Sequence, residues 1–236
     1  MRPENIRHVF FDLDHTLWDF DTNSEESLTE LLIQFEQKIG QTIQLSEFMR
    51  HYREVNGGLW EQYRKNEIQQ HELRERRFPE TFIHFGIQEK KWMSEFGEAY
   101  LDDCPRRTHL MPGALHTLNV LSQKFGLHII TNGFTETQFI KLEHSGLGPL
   151  FQNVITSEIA GAKKPDPLIF EYALNQAGAT PDNSLYIGDE FEVDVIGGLG
   201  FGIPVIFFNP DRKSSNFTVN EVISLPKILE FLKISE

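Results

Sequence analysis

Two aspartates, Asp12 and Asp14, directly follow an apolar run in the segment HVFFDLDHTLWDF. Carboxylates separated by one residue repel each other, which is costly unless something binds between them. A second acidic cluster, GDEFEVD, follows another apolar run and contributes Asp189 and Asp194. Magnesium takes oxygen ligands and is commonly held by one or two carboxylates together with a substrate phosphate. These aspartates therefore predict a site for a hard cation.

Five short apolar runs predict the β-strands that would position these carboxylates: HVFFDL, LHII, NVIT, LYIG and PVIFF. Amphipathic helical segments separate the last four runs, which is typical of an α/β fold with a mostly parallel sheet and helices on both faces. The binding crevice of such a sheet lies at the carboxyl ends of its strands. An Asp pair after one strand is more often a helix cap or a solvated turn. Because polar residues follow all five runs, we favour one shared site at the sheet edge.

A long segment after the first predicted strand contains no strand-like run. Its apolar residues recur at helical spacing over residues 23–40, 45–68 and 89–101, with Asn23, Ser24 and Ser46 as candidate N-caps. We therefore predict an all-helical domain at residues 20–105, inserted into an α/β core domain formed by residues 1–19 and 106–236.

Charge and cysteine content narrow the classes of partner. The chain of 236 residues carries a formal net charge of −13, which argues against a general nucleic-acid or anionic-membrane surface. Its single cysteine excludes an intrachain disulfide, and no apolar run approaches the ~18 residues of a membrane span. We expect a cytoplasmic protein that binds a small phosphorylated metabolite, and no nucleic-acid polymer or membrane as partner. The sequence leaves the oligomeric state open.

Four motifs in order resemble those of the haloacid dehalogenase superfamily of aspartate-nucleophile phosphohydrolases. Its D-x-D-x-T motif matches residues 12–16, and its threonine after a strand matches Thr131 in IITNGF. Its lysine before proline matches Lys164 in GAKKPDP, and G-D-x4-D matches residues 188–194. The resemblance covers nearly the whole chain and implies a Rossmann-like parallel-sheet core with a helical C1-type cap domain. It is nearest to the 5′-nucleotidase-like and phosphoglycolate-phosphatase-like branch.

The resemblance implies a two-step, Mg²⁺-dependent phosphate hydrolysis. Asp12 would attack phosphorus to form an aspartyl phosphate, which splits a difficult reaction into two easier ones. Asp14 would protonate the leaving oxygen and later deprotonate the attacking water. Crowding by Asp12 and Asp189 should raise the pKa of Asp14, as the acid role requires. The metal would be held by Asp12, the backbone carbonyl of Asp14, and Asp189, with Asp194 as a further ligand or as a partner of one.

The resemblance also implies how the phosphate is bound. Its oxygens would contact Thr131 and the backbone N–H groups near Asn132 and Gly133, helped by the N-terminus of a helix beginning near Thr135. Lys164 would neutralise the charge of nucleophile and phosphoryl group in the transition state. We prefer Lys164 to its neighbour Lys163 because Lys164 directly precedes a proline.

Two residues depart from the commonest family pattern. Position 15 is His where Gly is frequent, and Glu190 follows Asp189 where a smaller residue is more usual. The His indicates a branch difference, whereas Glu190 either adds a carboxylate near the metal or points away. A dehalogenase on this fold has no metal-dependent acid two residues after its first Asp, so Asp14 and the Asp189 cluster argue against dehalogenation.

Three functional hypotheses follow. The first is a Mg²⁺-dependent phosphatase of small phosphomonoesters, with a nucleoside 5′-monophosphate as one substrate. The second is a sugar-phosphate phosphatase, or a phosphotransferase or mutase with the same core; the third is a non-catalytic binding module. Several arginines of the helical insertion are expected to be solvated, although one or two of them could contact an anionic substrate: Arg50, Arg53, Arg64, Arg74, Arg76 and Arg77.

Overall fold

The computed structural model describes residues 3–88, 90–212 and 218–234, and the chain divides into two compact units. One unit, the core unit, comprises Met1–Phe20 and Thr108–Glu236; the other, the helical unit, comprises Asp21–Arg107. The boundaries expected from the sequence differ from these by one residue at the first crossing and by two at the second. Within the described ranges, no helix is both long and apolar enough to span a membrane.

The core unit is built on a six-stranded parallel sheet with the strand order β3-β2-β1-β4-β5-β6. The strands are β1 His8–Phe11, β2 Gly126–Thr131, β3 Asn153–Thr156, β4 Ser184–Gly188, β5 Val205–Phe208 and β6 Asn220–Val222. The parallel α/β fold predicted from the sequence is thus confirmed, and the first five strands fall on the five predicted runs. The sequence analysis missed β6 because this edge strand is only three residues long and largely exposed.

Helices cover this sheet through buried apolar side chains. They are α6 Ala114–Ser122, α7 Thr135–His144, α8 Ser157–Ala160, α9 Pro167–Ala177, α10 Gly197–Phe201 and α11 Lys227–Phe231, with a π-helix at Phe191–Ile196. Phe10, Phe170 and Tyr186 have no exposed surface and belong to one apolar cluster. Burying aromatic side chains of this size supplies much of the free energy that holds such a sheet rigid. The strand ends therefore provide a fixed frame for the residues that follow them.

The register of the three central strands brings their carboxyl ends level. Phe11 lies opposite Ile129 of β2 and Ile187 of β4. The residues that follow these strands therefore emerge side by side, as predicted for the carboxyl edge of a parallel sheet.

Five α-helices surround an aromatic core in the described part of the helical unit. They are α1 Phe20–Gln34, α2 Glu36–Ile39, α3 Leu45–Arg64, α4 Gln70–Ile83 and α5 Trp92–Asp103. Phe96 packs against Phe48, Phe78 and Phe82 with ring centroids 4.9–6.3 Å apart. The sequence analysis missed α4, whose segment QHELRERRFPETFI is rich in charge and contains a proline within the helix.

The predicted N-caps of the helical unit are wrong. Helix α1 already begins at Phe20, so Asn23 and Ser24 lie buried inside it. The Ser24 hydroxyl shares a 2.9 Å hydrogen bond with the Tyr100 hydroxyl instead of capping a helix end. Helix α3 begins at Leu45 with Gln44 as its N-cap, which places Ser46 within the first turn. Both helices start earlier than their polar residues suggest, because tertiary packing outweighs the local capping preference.

Candidate active site

Three carboxylates from two different strand ends meet at the carboxyl edge of the sheet. Asp12 follows β1, Asp189 follows β4, and Asp194 lies in the π-helix. Each offers one oxygen, and these three oxygens lie within 4.8 Å of one another. Oxygen donors at this spacing suit a hard divalent cation. Three ionised carboxylates carry a charge of −3, and Lys164, which pairs with Asp12 and Asp194, adds +1. A divalent cation would balance the remaining charge of −2.

Backbone geometry explains how these carboxylates come so close. Asp12 donates its N–H to Ile187 O of the neighbouring strand at 2.9 Å, and Thr16 Oγ1 donates to Asp189 Oδ1 at 2.7 Å. Gly188 leaves room for Asp194, since a Cβ at residue 188 would lie 2.4 Å from Asp194 Cγ. The π-helix then turns Asp194 inwards, where its Oδ2 accepts the N–H of Glu190 at 3.0 Å.

Lys164 is the buried cation of this cluster. Its Nζ donates to Asp12 Oδ1 at 2.6 Å, to Asp194 Oδ1 at 2.7 Å and to the Tyr186 hydroxyl at 2.8 Å. Burial alone would lower the pKa of Lys164, but the two carboxylates raise it above its ordinary value, so the lysine stays charged. The neighbouring Lys163 is half-buried.

The carboxylates of this cluster are crowded in the absence of a cation. Burial, reinforced by repulsion from Asp194 and Asp189 and opposed by Lys164, raises the pKa of Asp12 to about 8. Burial and repulsion from Asp194 likewise raise the pKa of Asp189 to about 7. A bound cation would favour the ionised forms and oppose both shifts.

Asp14 has different surroundings, and the expected direction of its pKa shift is wrong. Its Oδ1 accepts a 2.5 Å hydrogen bond from Lys141 Nζ, and its Oδ2 accepts a 2.8 Å bond from Gln138 Nε2. Burial alone would raise the pKa of Asp14, but the Lys141 ammonium and these two hydrogen bonds lower it overall. The crowding that was expected to act on Asp14 acts on Asp12 and Asp189 instead.

The loop after β2 lies beside the segment that contains Lys164. Thr131 Oγ1 accepts the N–H of Gly133 at 3.0 Å, and helix α7 begins at Thr135 as predicted. Both ends of the Asn132 amide bind the backbone of Lys164, with its Oδ1 accepting at 2.7 Å and its Nδ2 donating at 2.9 Å. The Asn132 side chain therefore positions Lys164 and is not free for phosphate.

The two residues that depart from the family pattern have distinct surroundings. His15 has a left-handed backbone with φ of 61°, a conformation that glycine adopts more easily than any residue with a Cβ. The chain thus tolerates a small backbone cost at this position. Glu190 is exposed and lies outside the cluster formed by Asp12, Asp189 and Asp194.

Sequence reasoning missed two residues of the site, Lys141 and Gln138. Both lie on α7 and are buried, at 3% and 1% exposure, on the same face as Leu142. A lysine and a glutamine at apolar positions of an amphipathic helix were the available signal. Such residues need a buried partner, and here that partner is Asp14.

The clustered carboxylates and the buried lysine lie at the carboxyl edge of a parallel α/β sheet, where such sheets bind their ligands. Residues 6–202 match the haloacid dehalogenase-like hydrolases, and the chain belongs to this family. The pyrimidine 5′-nucleotidase YjjG of Escherichia coli K12 is 31% identical over 229 residues, covering 94% of this chain and 96% of its own.

Two further proteins are similar over almost their whole length. The pyrimidine 5′-nucleotidase PynA of Streptococcus pneumoniae R6 is 33% identical over 231 residues, covering 96% of this chain and 94% of its own. The HAD-hydrolase YfnB of Bacillus subtilis, whose crystal structure was determined with bound magnesium, is 27% identical in sequence. The two structures superimpose with a TM-score of 0.87 over 97% of this chain and 99% of the YfnB chain.

Proposed function

We propose that this protein is a Mg²⁺-dependent phosphatase of small phosphomonoesters, with nucleoside 5′-monophosphates as the leading substrate class. The observation that carries the proposal is the different placement of the two aspartates of the first motif. Asp12 joins the carboxylate cluster and binds Lys164. Asp14 is bound instead by side chains of α7. One carboxylate is therefore suited to nucleophilic attack beside the metal, and the other to proton transfer.

In the first step, a carboxylate oxygen of Asp12 attacks phosphorus while the bond between phosphorus and the leaving oxygen breaks. Asp14 gives its proton to that leaving oxygen. Asp14 is ionised in the resting protein because its pKa is lowered. The negative charge of a bound phosphomonoester raises the pKa of a neighbouring carboxyl, so Asp14 takes up a proton from solvent as the substrate binds. Lys164, in contact with Asp12, stabilises the negative charge that accumulates in the transition state.

In the second step, water attacks phosphorus and transfers a proton to Asp14. The bond between phosphorus and the Asp12 oxygen breaks, which releases inorganic phosphate and restores the Asp12 carboxylate. Asp14 returns its proton to solvent when phosphate leaves. Asp12, Asp189 and Asp194 would hold Mg²⁺, together with the backbone carbonyl of Asp14. When bound, this cation would supply positive charge beside the transferring phosphoryl group. The hydroxyl of Thr131 and the backbone N–H of Asn132 are the groups we assign to the phosphate oxygens.

The relatives support the proposed substrate class. Two proteins that align with almost the whole chain are named pyrimidine 5′-nucleotidases, and the structurally similar YfnB binds magnesium. We therefore favour a pyrimidine nucleoside 5′-monophosphate over a sugar phosphate.

Phosphate release from a panel of nucleoside monophosphates and sugar phosphates, with Mg²⁺ or with a chelator, tests the proposal. We expect turnover that is fastest with pyrimidine nucleotides and at least ~100-fold slower in chelator, because uncompensated charge at the phosphoryl group raises the barrier. Faster turnover of a sugar phosphate would overturn the substrate assignment. If calorimetry shows Mg²⁺ binding but no substrate releases phosphate, the protein is a transferase or a binding module.

Arg77 is buried in the helical unit, although the sequence predicted that most arginines of this segment are solvated. It is only 5% exposed, its Nε has no hydrogen-bond partner among the described residues, and its guanidinium lies 5.7 Å from the Tyr100 ring. Arg53, by contrast, is exposed and pairs with Asp21 and Glu25. Arg53 is thus solvated, whereas Arg77 is packed within the helical unit.

A further inference from the structure

We propose that Lys141, with Gln138, is a positioning residue that holds the Asp14 carboxylate for both proton transfers, an inference that rests on the proposed function. Each of the two side chains binds a different oxygen of the Asp14 carboxylate. Lys141 Nζ lies 2.5 Å from Asp14 Oδ1, and Gln138 Nε2 lies 2.8 Å from Oδ2. Two donors on two oxygens fix the direction of the carboxylate as well as its place.

Lys141 is itself held rigidly, which a positioning residue requires. Its ammonium lies 4.3 Å from the centroid of the Trp18 ring and 5.5 Å from that of Phe20, and its side chain is 4% exposed. Asp14 is its only carboxylate partner among the described residues. The Lys141 ammonium therefore contacts Asp14 and two aromatic rings and is almost completely shielded from solvent.

Gln138 connects Asp14 to the loop that we assign to phosphate. A Cβ at Gly133 would lie 1.6 Å from Gln138 Nε2, so the amide packs directly against the backbone of this loop. Helix α7 thus carries both contacts to Asp14 and begins at the end of the phosphate loop. One helix thereby fixes the distance between Asp14 and the loop that we assign to phosphate.

The orientation of the Gln138 amide has a cost that a purely structural contact would avoid. Its Oε1 is buried and has no hydrogen-bond donor among the described residues. An unsatisfied buried acceptor costs about 1–3 kcal/mol. The chain accepts this cost while the NH₂ group of the same amide points at Asp14, which indicates that the contact is retained for the position of Asp14.

The test separates proton transfer to the leaving group from the rest of the reaction. Variant Lys141→Met is mixed rapidly with a nucleoside monophosphate, whose alkoxide needs a proton to leave, or with 4-nitrophenyl phosphate, whose phenolate does not. With the nucleotide, we expect the first turnover to slow by ~100-fold, the size of effect that a misplaced catalytic group produces. With 4-nitrophenyl phosphate, release of nitrophenol should stay within about threefold of wild type while phosphate release slows, giving a burst of nitrophenol.

Three further variants complete the test. Lys227→Met, which removes an exposed lysine paired with Glu230, should behave as wild type. Asp14→Asn combined with Lys141→Met should be no slower than Asp14→Asn alone, because Lys141 acts through Asp14. If Lys141→Met does not fold, Gln138→Leu provides the same comparison without removing a charge.

The inference is overturned if Lys141→Met slows release of the leaving group equally from both substrates or from neither. It is also overturned if the effect of Lys141→Met adds to that of Asp14→Asn. Absence of phosphate release from wild type would overturn the proposed function and this inference with it. The two failures are distinct, because only the second affects the unmodified protein.

Discussion

Asp12→Asn is expected to reduce phosphate release from the best substrate by on the order of 10⁴-fold or more, the scale seen when a covalent nucleophile is removed. Asparagine has nearly the shape of aspartate but cannot form the acyl phosphate. The variant should also show no increase in mass by one phosphoryl group after acid quench, whereas wild type should. Steady-state phosphate release and mass spectrometry of the quenched protein measure the two effects.

Asp166→Asn is the matched control for this substitution. Asp166 is exposed and caps α9 by accepting the N–H of Leu168 at 2.9 Å, a role that asparagine fills equally well. We expect this variant to retain wild-type turnover. Undiminished phosphate release by folded Asp12→Asn would exclude Asp12 as the nucleophile.

The stability of the metal-free protein gives Asp12→Asn a second readout. The pKa of Asp12 is raised from an ordinary 3.8 to about 8 in the folded protein, so the folded state binds this proton more tightly than the unfolded state. The resulting stabilisation is fully present at low pH and is lost as pH rises through about 8. We therefore expect the unfolding free energy of wild type to fall with rising pH in chelator, and that of Asp12→Asn to fall less. Denaturant titrations from pH 5 to about 9 would measure the difference.

The second large effect is expected for Lys164→Met. This change leaves the carboxylates of Asp12 and Asp194 buried without their cation, and breaking a buried ion pair costs about 3–5 kcal/mol of stability. Turnover should fall by ~10²–10³-fold, because a charge that stabilises the transition state is lost. Since Lys164 and a bound cation oppose the same repulsion, adding Mg²⁺ should raise Tm more in this variant than in wild type.

Lys163→Met serves as the control because it makes the same chemical change one residue away. Because Lys164 makes the contacts with Asp12 and Asp194, loss of the half-buried Lys163 should leave turnover and the Mg²⁺-dependent rise in Tm unchanged. Equal losses in the two variants would assign the effect to the loop as a whole. A smaller Mg²⁺-dependent rise in Tm for Lys164→Met would show that Lys164 does not balance the carboxylate cluster.

The sequence alone was sufficient to predict the protein family and five of the strands of the sheet. Strands, turn residues and motif order are local properties, so the apolar runs predicted β1–β5 and the motifs selected Asp12, Lys164 and Asp189. The choice of Lys164 over Lys163 also followed from one adjacent proline. Helix starts were less certain because capping preferences are worth only about 1 kcal/mol, which the packing of a buried helix face exceeds.

Tertiary structure alone decided how the two aspartates of one motif differ. Their spacing in the sequence is two residues, yet Asp12 meets Lys164 from 152 residues away and Asp14 meets Lys141 from 127 residues away. A pKa depends on the sum of all nearby charges and on burial, and those charges come together only when the chain folds. The motif therefore determined which residues take part, whereas the fold determined that Asp12 is crowded by carboxylates and that Asp14 is held by a lysine.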